Sequence, residues 1–136
     1  MTAMNTRWLV RGQSLVEFSL AVMMLVVVIA ATAQVAVDLH YRTSLQLATQ
    51  EGAFEGSLAG HGPPDAQVTT AHLWSKLEPG GRPVRITATT QGDLVVVSAQ
   101  ADAPVLLPLP FPPFTKLPLQ VRSVHTIERF QPGSQP

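Results

Sequence analysis

The sequence predicts an α+β protein: one long N-terminal transmembrane helix, followed by a small extracytoplasmic head with one short helix and about three antiparallel strands. Three observations predict this class. Residues 18–37 form an apolar span of twenty with no charge between Glu17 and Asp38. No glycine or proline occurs from Gln13 to Glu51, which allows one very long helix. Alternating apolar and polar residues, typical of strands, follow only later in the chain.

Composition excludes several function classes. The 136 residues carry a formal net charge of zero and no cysteine, so there is no basic field for a nucleic acid and no disulfide. The four histidines lack the spacing of metal ligands, and no serine lies in a nucleophile motif. We therefore expect neither an enzyme nor a protein that binds a cofactor, a metal or a small-molecule substrate.

The leader, 1–12, contains Arg7 and Arg11 and no acid. Positive charge beside a membrane span stays on the cytoplasmic side, so the N-terminus is expected inside and the head outside. The helix is predicted over 13–52, with about 15–37 crossing the membrane. At about 1.5 Å per residue, twenty residues cover about 30 Å, the thickness of the hydrocarbon core of a bilayer.

Beyond the span the helix is predicted to become amphipathic. A polar residue recurs every four positions, which forms a polar stripe: Gln34, Asp38, Arg42, Gln46 and Gln50. An apolar stripe lies beside it and should pack on the head: Val37, Tyr41, Leu45 and Ala48. Asp38 and Arg42 are spaced for an i,i+4 ion pair. Gly52, Gly56 and Gly60 are expected to end the helix, followed by a linker over 53–65.

The head is predicted over 66–130. Asp65 could cap a short helix that ends at Glu78. Two strands, 83–90 and 94–102, should form a hairpin around the turn at 91–93, with Val84, Ile86 and Ala88 on one face. Six prolines in 103–118 predict an extended loop. A third strand is predicted over 119–130, followed by a flexible tail over 131–136.

The stretch before the apolar span carries the strongest functional signal. Residues 11–18 read RGQSLVEF, which resembles the processing site of type IV prepilins and pseudopilins. The wider string to about Leu25 resembles the TadE-like minor pilins or pseudopilins of the tight-adherence (Tad, type IVc) pilus system. The resemblance implies cleavage by a prepilin peptidase between Gly12 and Gln13, and an assembly contact through Glu17 and Phe18.

The resemblance also implies the surroundings of the protein. It would lie in the bacterial cytoplasmic membrane, in contact with lipid, and its partners would be the peptidase, other pilin or pseudopilin subunits and the pilus assembly platform. After cleavage, Gln13 would be an N-methylated terminus whose charge lies one helical turn from Glu17. A carboxylate in a membrane costs about 2.5–3.5 kcal/mol and is usually functional. TadE-like proteins often carry a proline where this chain has Met23, which argues against a kink there.

Two other interpretations of the N-terminus remain. A secretory signal peptide could end at Ala31-Thr32-Ala33 and release a binding domain that starts at Gln34. Alternatively, the helix could be a plain anchor for an extracytoplasmic binding domain, with Glu17 an ordinary acid at the lipid interface. The small residues Ala30 to Ala33 would suit close helix packing in the pilin interpretation.

Overall fold

The structure is a computed structural model that describes residues 7–80, 82–106 and 116–127. Its elements are two helices followed by three strands: α1 (Arg7–Ser57), α2 (Pro63–Leu77), β1 (Val84–Gln91), β2 (Leu94–Pro104) and β3 (Lys116–Thr126). The strands form one antiparallel sheet in the order β1-β2-β3. The predicted α+β class, with a long apolar N-terminal helix, one further helix and three antiparallel strands, is confirmed.

Helix α1 is longer than predicted at both ends. It begins at Arg7, inside the predicted leader, and it continues through Gly52 and Gly56 to Ser57. The predicted end of the helix at Gly52 is therefore wrong. Both glycines are buried, and they let α2 approach: a Cβ at position 52 would lie 2.7 Å from the carbonyl oxygen of Ala66, and one at position 56 would lie 2.7 Å from the Cβ of Ala66.

Helix α2 begins at the Gly-Pro-Pro sequence of residues 62–64, inside the predicted linker. Gly62 is the N-cap, and Pro63 and Pro64 occupy the first helical positions, where a missing N–H costs nothing. Asp65 lies inside the first turn, and its Oδ2 accepts a hydrogen bond from the Gly62 N–H at 3.0 Å. Asp65 thus reaches back to the cap residue, whereas the sequence suggested that it was the cap itself.

The hairpin forms as predicted. Gln91 pairs with Leu94 across a two-residue turn in which Gly92 has a φ of 61°, the conformation that such turns favour. Strands β2 and β3 extend into the predicted proline-rich loop, because Pro104 ends β2 and Pro118 pairs with Asp102 near the start of β3. β3 is an edge strand, which tolerates proline. Three parts of the prediction lie outside the described residues: the prolines between 107 and 115, the end of the third strand candidate after 127, and the tail.

Both helices pack on one face of the sheet. The apolar stripe of α1 faces the head as predicted, with Leu45 and Ala48 fully buried beside Trp74 and the alanines of β2. The inward face of β1 is also confirmed, since Ala88 is buried while Arg85 and Thr89 are exposed. A buried hydroxyl pair joins helix to sheet: Ser123 Oγ donates to Thr49 Oγ1 at 3.0 Å. This interface holds the head against the second half of α1.

One predicted contact does not form. Within the described ranges, Asp38 and Arg42 make no ion pair, whereas the His40 and His61 side chains lie 3.2 Å and 3.0 Å from the carboxyl groups of Glu78 and Glu55. An exposed i,i+4 pair contributes only about 0.3–0.5 kcal/mol, which is too little to hold two side chains against other contacts.

Candidate processing and assembly segment

All four residues of the predicted site lie on α1. Gly12 and Gln13 occupy its second turn, and Glu17 and Phe18 follow one turn later. Four residues along a helix rise about 6 Å and return to nearly the same face, so Gln13 and Glu17 share a face. The Phe18 side chain is 69% exposed. The structure therefore brings the predicted cleavage residues and the predicted contact residues into one short helical segment.

The segment is followed by a helical surface that the head leaves uncovered. Every residue from 14 to 29 is exposed on the isolated chain. One stretch of α1 is long and apolar enough to cross a membrane, and none of its most apolar window is buried. An exposed apolar surface of this size needs lipid or other helices around it. The N-terminal half of α1 thus fits membrane anchoring.

Polar side chains within the apolar span are satisfied by the protein itself. Ser19 Oγ donates to the Leu15 carbonyl at 2.9 Å, and Thr32 Oγ1 donates to the Val28 carbonyl at 2.8 Å. Gln34 bonds to the head. In hydrocarbon no water is present to satisfy such groups, so internal bonds are required. Glu17 and Asp38 are the acids that border the span.

The head joins α1 at the end of the span through a contact that the sequence does not reveal. The Gln34 side chain donates from Nε2 to the Pro104 carbonyl at 3.0 Å and accepts at Oε1 from the Leu106 N–H at 2.7 Å. One amide thus satisfies two backbone groups, one at the last residue of β2 and one just after it. Gln34 stood out in the sequence only as one member of the polar stripe.

Four large apolar side chains of α1, at the end of the span and beyond it, stay exposed among polar side chains such as Gln46 and Gln50. Val35, Leu39, Leu47 and Phe54 are each between 42% and 58% exposed. The Phe54 ring also contacts His125, with ring centroids 5.7 Å apart. These four residues, the outer stripe, continue the exposed apolar surface of the span into the part of α1 that carries the head.

The described residues hold no cluster of acids and histidines suited to a metal ion. A concavity of about 610 Å³ lies on the open face of the sheet, where Arg85, Gln100, Asp102 and Gln120 provide its polar groups. These are exposed or half-buried side chains without a nucleophile or a histidine beside them.

Comparison with known proteins agrees with the position of this segment. Residues 12–53 match the family model described as TadE-like protein, and that range lies entirely within α1. No curated protein and no solved structure matches the chain. The matched range begins at Gly12 and includes Gln13, Glu17 and Phe18. The predicted resemblance to TadE-like proteins is thereby confirmed over residues 12–53 of the chain.

Proposed function

We propose that the protein is a structural minor pilin or pseudopilin, without enzymatic activity, that is processed by a prepilin peptidase and then joins a Tad pilus or a related secretion apparatus. One observation carries this proposal: the TadE-like match coincides with a single uninterrupted helix that has Gly12 at the start of the matched range. That helix presents an apolar surface that the head leaves uncovered.

Cleavage between Gly12 and Gln13 creates the charge that assembly requires. It frees an ammonium group at Gln13, on the same face of α1 as the Glu17 carboxylate. Both groups lie at the edge of a span that is surrounded by lipid, where the effective dielectric is low and opposite charges attract strongly. The ammonium group of one subunit then pairs with Glu17 of its neighbour, which sets the axial register of the two helices.

The outer stripe extends this contact along the helix. Once the span is packed among other helices, Leu39, Leu47 and Phe54 continue the same surface outside the bilayer. Ala30 to Ala33 provide small side chains that let helices approach closely in lipid. Before assembly the protein would lie in the cytoplasmic membrane, with its N-terminus inside and its head outside, next to the peptidase and the assembly platform.

The two remaining interpretations of the N-terminus predict different mature chains. Signal-peptide removal after Ala33 would separate the span from Gln34, which donates and accepts hydrogen bonds with the head. A plain anchor would keep all residues from Met1. Neither leaves a free amine beside Glu17, so neither supplies the proposed assembly contact.

Replacing Gly12 with phenylalanine is expected to block processing. A residue without a side chain lets the peptidase approach the backbone, and a ring at that position would obstruct it. In cells with an active prepilin peptidase, the variant should keep its leader and migrate more slowly on a gel than the wild-type protein. Gly80→Ala is the matched control, because a Cβ at position 80 meets nothing within 4 Å. Equal mobility of the Gly12 variant and the wild type would count against the proposal.

A further inference from the structure

The contacts between the head and α1 fix the height of the head above the membrane. Gln34 lies three residues before the end of the apolar span, which is about 4.5 Å along the helix. Its side chain bonds to Pro104 and Leu106. Because α1 is continuous from Arg7 to Ser57, the end of β2 must lie at the level where the helix leaves the hydrocarbon core.

Two further contacts place the end of α2 and the start of β1 at nearly the same height. Glu78 Oε1 lies 3.2 Å from Nε2 of His40, and the Arg82 guanidinium lies 5.7 Å from the centre of the Tyr41 ring. His40 and Tyr41 follow the span by three and four residues, or about 4.5–6 Å. The headgroup layer of a bilayer is about 5–7 Å thick on each side. This end of the head therefore lies within the headgroup layer.

Cations are concentrated at this end. Four of them, which we call the basic rim, are Arg42 on α1, Lys76 in the last turn of α2, Arg82 before β1 and Arg85 in β1; all are exposed except the half-buried Arg82. The acids nearby are less accessible, since Glu78 is 8% exposed and Asp38 and Asp102 are half-buried.

The opposite end of the head has the opposite charge. Glu51 and Glu55 near the end of α1, Asp65 at the start of α2 and Asp93 in the hairpin turn lie there, and no lysine or arginine accompanies them within the described residues. Because the exposed cations and the exposed acids lie at opposite ends, the head is electrically polar along the membrane normal. Its positive end faces the bilayer.

We propose that the basic rim binds the phosphate groups of anionic phospholipids in the leaflet from which α1 emerges. Clustered lysine and arginine side chains at the membrane surface attract anionic lipid over a distance of about one Debye length, or about 8 Å. The contact would hold the head against the bilayer before assembly, and it would be released when α1 leaves the lipid. This inference rests on the membrane-anchored form of the proposed function.

The preference for anionic lipid can be measured on the full-length protein. The protein is reconstituted into phosphatidylcholine bilayers that contain traces of spin-labelled phosphatidylglycerol or spin-labelled phosphatidylcholine. Electron spin resonance then gives the fraction of each labelled lipid that is immobilised at the protein. We expect a preference for phosphatidylglycerol on the order of threefold at low salt, weakened by high salt. The combined variant Arg42→Gln, Lys76→Gln and Arg85→Gln should lose most of it, while it retains Arg82 and its contact with Tyr41.

Arg122→Gln is the matched control. Arg122 is also exposed on the open face of the sheet. It pairs with Ser98 of β2, whereas Arg85 pairs with Gln100, two residues nearer to the bilayer. Arg122 therefore lies about 7 Å farther from the bilayer than Arg85 does. It should keep the preference. All variants retain Arg7 and Arg11, so these arginines cannot cause a difference between them. An unchanged preference in the combined variant, or an equal loss in Arg122→Gln, would overturn the proposal. A chain that immobilises neither label is not in the bilayer, and that result would overturn the membrane anchor itself.

Discussion

Replacing Glu17 with alanine should nearly abolish incorporation of the protein into a pilus or pseudopilus. Removing one member of a desolvated ion pair typically costs about 3–5 kcal/mol, because the other charge is left without a partner. A change of that size corresponds to a loss of roughly a hundredfold to several thousandfold in association. The measurement is the amount of the chain recovered in sheared filaments or cross-linked assemblies, relative to the amount that remains in the membrane.

Two controls define the cause of that loss. Glu17→Asp keeps the charge and should retain part of the activity, whereas Glu51→Ala removes an exposed carboxylate from the same helix, outside the span, and should have little effect. The processed N-terminus of each variant must also be determined, since cleavage should not require Glu17. Normal incorporation of Glu17→Ala would remove the proposed role of this carboxylate.

Replacing Gly52 with leucine should destabilise the packing of α2 on α1 by about 3 kcal/mol or more. A Cβ at position 52 would overlap Thr70 Oγ1 and lie 2.7 Å from the Ala66 carbonyl oxygen, and leucine adds three more carbon atoms. Removing a glycine from a helix interior gains at most about 1 kcal/mol, so the steric effect dominates. Thermal unfolding of the full chain in detergent micelles, followed by near-ultraviolet circular dichroism, would measure the change.

The Gly52 prediction has an internal check. Gly52→Ala should also destabilise the protein, and adding Thr70→Ala should restore part of the stability, because it removes the hydroxyl that the new Cβ meets while the Ala66 carbonyl remains in place. Gly80→Ala, where nothing lies within 4 Å, should shift the midpoint little. A Gly52→Leu protein with wild-type stability would contradict the close approach of the two helices.

The sequence was sufficient where one strong physical effect acts alone. Twenty uncharged residues between Glu17 and Asp38 predict a spanning helix, because a charge in hydrocarbon is costly wherever it lies. Alternation in β1 and β2 predicts their inward faces, because each strand buries one side only. The residues of the candidate site come from a different source, the resemblance of residues 11–18 to a prepilin processing site, and their roles stay predictions.

The errors arise where a residue serves two purposes. Gly52 and Gly56 were interpreted as helix breakers, but their four-residue spacing also suits close helix packing, and Ala48 extends the same spacing toward the N-terminus. Local sequence cannot decide between these roles, since the answer depends on Ala66 and Thr70 in α2. The double hydrogen bond of Gln34 and the contact of His40 with Glu78 join residues that are far apart in the chain, and no periodicity indicates either one.

The N-terminus of the mature protein tests the central claim most directly. The full-length protein should be isolated from membranes of a host with an active prepilin peptidase and its intact mass determined, with Gly12→Phe measured alongside. The account predicts a chain that begins at Gln13 in the wild type and at Met1 in the variant. A wild-type chain that begins at Met1 would contradict it, because no new amine would form beside Glu17, and so would one that begins at Gln34, because it would lack Glu17 altogether.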